Sequence, residues 1–71
     1  MTEYTVIVEK AEGNYSAYAP DLPGCITTGP TVEATLSNMR EAIEFHLKGM
    51  LDDGDPVPKP VSIAAVVQLA A

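Results

Sequence analysis

An α+β domain of order β-β-β-α-β, a small sheet with one helix packed on it in two layers, is the fold that this sequence predicts. Three observations carry it. Apolar residues alternate near the start, recur at steps of three and four from Val32 to Met50, and alternate again from Val61. The 71 residues form one domain, 1–71, because a single core needs most of that length.

Tyr4, Val6 and Val8 alternate with Thr5, Ile7 and Glu9, the pattern of a strand. Ile7 makes its second face partly apolar. Ala11-Glu12-Gly13-Asn14 is a hairpin signal, since Gly13 and Asn14 both tolerate positive φ. The second strand runs from Tyr15 to Ala19, with Tyr15, Ala17 and Ala19 on one side and Tyr18 on the other. Pro20-Asp21-Leu22-Pro23-Gly24 encodes a stiff corner. Within it, Pro23-Gly24 suits the centre of a type II turn, and Asp21 suits capture of amides in its own loop. Cys25 to Thr28 reads as a short third strand, ended by Gly29-Pro30.

Thr31 is the expected N-cap of a helix from Val32 to Leu51, with Glu33 in its first turn. Val32, Leu36, Met39, Ile43, Leu47 and Met50 form its apolar stripe, and Phe45 falls nearly opposite. Asp52-Asp53-Gly54-Asp55 stops the helix. Pro56-Val57-Pro58-Lys59-Pro60 follows as a stiff extended connector. Val61, Ile63, Ala65, Val67 and Leu69 then share one parity, which predicts a fourth strand.

Ten acidic residues against four basic ones give a formal charge of −6. That balance opposes direct binding of nucleic acid, whose affinity rests on phosphate attraction, and suits a basic protein partner. The single cysteine excludes an intramolecular disulfide and fits a cytoplasmic location. The start of the chain lacks the basic and apolar regions of a signal peptide, and the C-terminal apolar run is too short to span a bilayer. A domain this small, with no disulfide or metal staple, is expected to gain stability as a homo-oligomer, a dimer or tetramer.

No residue set points to catalysis, to a cofactor or to a metal. His46 stands alone and reads as a partly exposed structural histidine. Cys25 lacks a cationic neighbour in sequence and reads as a small buried residue. Asp52-Asp53-Gly54-Asp55 lacks the spacing and closing glutamate of an EF-hand loop. Phe45, an aromatic on a polar face, is a candidate interface anchor. Asp21, Leu22 and Pro23 of the corner loop join it, as do Val61 and Ile63 of the last strand. An unpaired edge there would be an aggregation hazard, so strand addition between subunits is expected.

The run Tyr15-Ser16-Ala17-Tyr18-Ala19-Pro20-Asp21-Leu22-Pro23-Gly24-Cys25, followed by Thr27, Gly29 and Thr31, closely resembles the HicB-like family. Ala42-Ile43-Glu44-Phe45-His46-Leu47 and Asp53-Gly54-Asp55-Pro56-Val57-Pro58 match that family's helix and helix exit. The resemblance implies a partly degraded ribonuclease-H-like domain and an antitoxin that neutralises HicA, a small basic RNA-cleaving toxin, by direct binding. Its alternative is an orphan oligomeric binding module without a toxin, serving a small ligand or a regulator. Many relatives carry a C-terminal DNA-binding domain, and none is expected within these residues. Ala34 and Thr35 replace the family's usual Glu-Ala, so the reciprocal capping box is lost.

Overall fold

The hairpin forms where Gly13 supplies a φ of +83°, closing Ala11 against Asn14. In a computed structural model describing residues 2–70, it joins β1 (Ile7–Ala11) to β2 (Asn14–Tyr18). A third strand, β3 (Ile26–Gly29), completes an antiparallel sheet of order β1-β2-β3. Strand β1 starts later than the alternation suggested. Tyr4 and Val6 precede the ladder, yet they still pack with Val8 on the core.

The corner between β2 and β3 folds as its prolines dictate. The Cys25 amide donates to the Leu22 carbonyl at 3.0 Å, and Gly24 takes a φ of +83°, as a type II turn over Pro23-Gly24 requires. A second turn precedes it, with the Leu22 amide donating to the Ala19 carbonyl at 3.0 Å. The two turns drop Leu22 into the core.

One helix, α1 (Val32–Asp53), covers one face of the sheet. Thr31 caps it, its hydroxyl accepting from the Ala34 amide at 3.0 Å. At the far end Gly54 adopts a φ of +74°. The Gly54 amide donates to the Leu51 carbonyl at 3.2 Å and the Asp55 amide to the Met50 carbonyl at 2.9 Å, a Schellman termination. The core between the layers consists of Ala17, Ala19, Leu22, Cys25 and Met39, flanked by Tyr4, Val6, Val8, Ala42, Ile43 and Leu47.

The expected stripe faces the core from Met39 through Ile43 and Leu47, but the first turns of the helix depart from it. Thr35 and Met39 are its buried residues, while Val32 and Leu36 remain exposed. The cause lies at its first turn. Gly29 meets Thr35 so closely that an added Cβ would lie 2.6 Å from the Thr35 hydroxyl and 2.8 Å from its amide nitrogen. That contact turns Thr35 inward and moves Leu36 to the flank. The Thr35 hydroxyl is satisfied by donating to the Thr31 carbonyl at 2.6 Å.

The two-layer α+β architecture agrees with expectation, but the fourth strand does not form in the single chain. Beyond α1 the described residues carry no regular structure, and Val61, Ile63, Val66, Val67 and Leu69 are exposed. A period-2 pattern specifies which side chains share a face, but a strand exists only through a ladder partner, and here none is engaged. The segment instead makes an arm. The radius of gyration is 13.7 Å with extents of 48 × 26 × 20 Å. A compact domain of this length would have about 11 Å.

Candidate functional site

Three places were expected to meet a partner, and the structure treats them differently. Asp21 was expected to bind amides of its own loop. It reaches instead across forty residues of sequence to the segment after the helix. Its Oδ2 accepts from the Ser62 amide at 3.0 Å and the Val61 amide at 3.2 Å, and its Oδ1 from the Ser62 hydroxyl at 2.8 Å. The Ser62 amide and then its hydroxyl hold the Asp21 carboxyl below its ordinary pKa; burial opposes them, and the Val61 amide adds the smallest lowering effect.

Two further bonds hold the base of the arm. The Tyr4 hydroxyl donates to the Pro58 carbonyl at 2.6 Å, and the Thr5 hydroxyl to the Ser62 carbonyl at 2.8 Å. The Pro56–Pro60 connector makes this geometry natural, because its prolines keep the chain extended while exposing carbonyls as acceptors. Asp21, with Tyr4 and Thr5, therefore clamps Pro58 to Ser62, and the arm departs from Ile63.

An Asp21→Ala substitution is expected to free the base of the arm while leaving the sheet and helix folded. Hydrogen exchange checks this, with protection of the Val61 and Ser62 amides lost and that of β2 retained. Low pH should act in the same direction. A carboxylate whose folded pKa lies below its unfolded value stabilises fully above the unfolded value. That contribution disappears as pH falls from the ordinary 3.8 through the lowered folded value, so the arm should loosen in that acid window.

Leu22 is a correction: it is 1 % exposed and belongs to the core, not to a partner surface. The two turns around it leave Pro23 exposed and point Leu22 inward. Phe45 is 81 % exposed on the outer face of α1. Helical spacing puts Glu41 one turn before it and Asp52 two turns after it on the same face, both exposed. Lys48, also exposed, follows Phe45 by one turn, so the exposed aromatic stands among charged side chains of both signs. The Arg40–Glu44 pair, 3.6 Å apart on exposed side chains, neutralises one neighbouring charge.

The outer sheet face holds a feature that the sequence only hinted at through Ile7. Ile7, Tyr18 and Ile26 are direct cross-strand partners, so they form one apolar row across all three strands. Tyr18 and Ile26 are exposed. The register places them together, and alternation alone could not have done so.

A groove lies on the other face, where the flank of α1 overhangs the segment that leads into β1. Tyr4 and Val6 form one wall, and Leu36, Met39, Ile43 and Leu47 the other, with Arg40 and Glu44 at the rim. His46 is partly buried on the same helix, and Cys25 is buried, its thiol pushed upward by desolvation. Burial disfavours the thiolate and hence nucleophilic chemistry. Among the described residues, no three His, Cys, Asp or Glu side chains converge as metal ligands. None of the described helices is long and apolar enough to cross a membrane.

Comparisons with known proteins agree with this architecture. Residues 4–70 match the family model of the HicB-like antitoxin of bacterial toxin–antitoxin systems. An uncharacterized 14.9 kDa protein of Haemophilus phage HP1 is 41 % identical over 56 residues, 79 % of this chain and 42 % of the phage protein. The chain therefore matches less than half of that relative's length. A UPF0150 protein of Synechocystis sp. is 42 % identical over 57 residues, covering 79 % of this chain and 72 % of its own. Among solved structures, the HicA3 and HicB3 toxin–antitoxin complex superposes with a TM-score of 0.73 at 28 % identity, over 84 % of this chain and 70 % of the matched one. With a family model spanning almost every described residue and a fold shared with that complex, the chain belongs to the HicB-like antitoxins of bacterial toxin–antitoxin systems.

Proposed function

We propose that this chain is a non-enzymatic antitoxin that binds and neutralises a small basic HicA-like RNA-cleaving toxin in the cytoplasm. The observation that carries the reading is the family match together with the likeness to a toxin–antitoxin complex. The formal charge of −6 supports it, since complementary charge accelerates encounter and disfavours partners of the wrong sign. In this reading Phe45, set between Glu41 and Asp52, is the anchor on the toxin. A large aromatic within a polar rim is the usual composition of an interface hot spot. The resemblance to a degraded ribonuclease-H-like fold fits a role in which binding has replaced chemistry.

Co-expression with a HicA-like protein tests the proposal. A stable complex and restored growth are expected, and the absence of both would overturn it. Phe45→Glu should weaken the complex by about 30-fold or more, the effect of losing a hot spot. The same change should leave the free chain's stability within about 0.5 kcal/mol, because the side chain makes no core contact. Association should slow as salt rises, because steering between opposite charges is screened.

A further inference from the structure

We propose that Ser62 is a phosphorylation site for a protein kinase, and that a phosphate there opens the clamp by which Asp21 holds the base of the arm. The proposal is independent of toxin binding, and its test contains no toxin.

Position in the chain singles out this serine. Ser16 lies in β2 and Ser37 in α1, where the backbone is committed to a ladder or a helix. Ser62 follows the Pro56–Pro60 connector in a segment without regular structure, and it is the one hydroxyl-bearing residue of positions 55–70. The prolines keep the approach to it extended, the form in which a chain can be laid into a kinase cleft. Lys59, Pro60, Val61 and Ile63 around it are exposed. The hydroxyl itself is half-buried in its bond to Asp21 and is freed by local opening of the clamp, which unties no strand or helix.

The transfer balances on this side chain. Ser62 Oγ attacks the γ-phosphorus of a nucleoside triphosphate, and the bond from that phosphorus to the bridging oxygen breaks. The nucleoside diphosphate leaves, and the hydroxyl proton passes to the kinase's base. The product is a phosphate ester carrying a charge of about −1.5 to −2 at pH 7.

The surroundings decide what that charge does. The Ser62 hydroxyl now donates to Asp21 Oδ1 at 2.8 Å. An ester oxygen has no proton to donate, so an attraction becomes a repulsion between phosphate and carboxylate. Glu3 borders the same open cleft, with Tyr4, Thr5, Pro60 and Ile63, and the residues lining it include no lysine or arginine. A phosphate orders a segment when it meets a cluster of cations, and it disrupts one when it meets carboxylates. Here it meets carboxylates, in a chain whose formal charge is already −6. The Val61 and Ser62 amides, which reach Asp21 Oδ2 at 3.2 and 3.0 Å, would be pulled away with the side chain. The arm's base would then hang on the Tyr4 and Thr5 hydroxyls alone.

Hydrogen exchange on the full chain carrying phosphoserine at position 62 tests the switch. The Val61 and Ser62 amides should exchange about 10-fold faster or more than in the unmodified chain, the scale of repulsion between solvated charges in contact. Amides of β2 should be unchanged. Ser62→Ala removes one bond of three without adding charge, so its effect should be several-fold smaller. Equal effects of alanine and phosphate would reduce Ser62 to a structural donor and overturn the switch. In an Asp21→Asn background the phosphate should lose most of its effect; an undiminished effect would remove Asp21 from the mechanism. Phosphopeptide mass spectrometry of the chain isolated from the cells that make it, in growth and in stationary phase, tests the site. Phosphate at Ser62 is expected in at least one state, and its absence from both overturns the assignment.

Discussion

Replacing Leu22 with alanine is expected to lower the unfolding free energy by about 2–5 kcal/mol, the cost of deleting a fully buried leucine. The total available to a domain of this size is roughly 4–11 kcal/mol, so this one change removes a large share of it. The reason is positional. Leu22 is 1 % exposed, and the two turns that carry it are closed by their own hydrogen bonds at 3.0 Å. The loop is therefore too stiff to collapse into the space left behind, and incomplete collapse is what places a site at the costly end of the range. Urea unfolding of the free chain measures the loss as a lower midpoint at an unchanged slope. An unchanged midpoint with weakened partner binding would return Leu22 to the interface. Pro23→Ala provides the contrast. Pro23 is exposed, and its substitution acts mainly through unfolded-chain entropy, costing about 0.4–1 kcal/mol.

The different outcomes for Asp21, Leu22 and Pro23 show what can be read from sequence at this corner. Proline and glycine have local consequences, and Pro23-Gly24 formed the turn that their chemistry requires. Thr31 and Gly54 terminate the helix for the same reason. What Asp21 binds and where Leu22 points depend on residues far away in sequence. Asp21 finds Ser62, forty-one positions on, beyond the whole of β3 and α1. No local pattern encodes that distance. The apolar stripe illustrates the same limit: spacing gave the helix and its core face, while the close approach of Gly29 to Thr35 needs the folded chain.

The final segment shows a further separation. Alternation from Val61 to Leu69 states which residues can share a strand face, and the structure is compatible with that statement. Whether a strand forms depends on an edge to pair with, and among the described residues neither the arm nor the outer edge of β1 has a ladder partner. Phe45 was legible because its exposure follows from helix geometry alone, at about 100° per residue. The apolar row of Ile7, Tyr18 and Ile26 was not, because it needs the register of two strand pairs.

Gly29→Ala is expected to cost about 1–3 kcal/mol or more, the range for overpacking a close contact. Gly29 does not have a positive φ, so the demand is for space rather than for an unusual backbone conformation. An added Cβ would lie 2.6 Å from the Thr35 hydroxyl, 2.8 Å from its amide nitrogen and 3.0 Å from its Cα. Two of these obstacles are backbone, and the helix must move to relieve them. Removing only the hydroxyl should therefore give little rescue. Thr35→Ala by itself also loses the bond to the Thr31 carbonyl, made by a side chain with no exposure to water. The double substitution should remain destabilised by at least as much as Gly29→Ala alone, with a small coupling energy in a double-mutant cycle. Full rescue by Thr35→Ala would mean that the hydroxyl alone sets the approach. Near-additive losses would establish the helix backbone as the wall, and with it the reason that Thr35, rather than Leu36, faces the sheet.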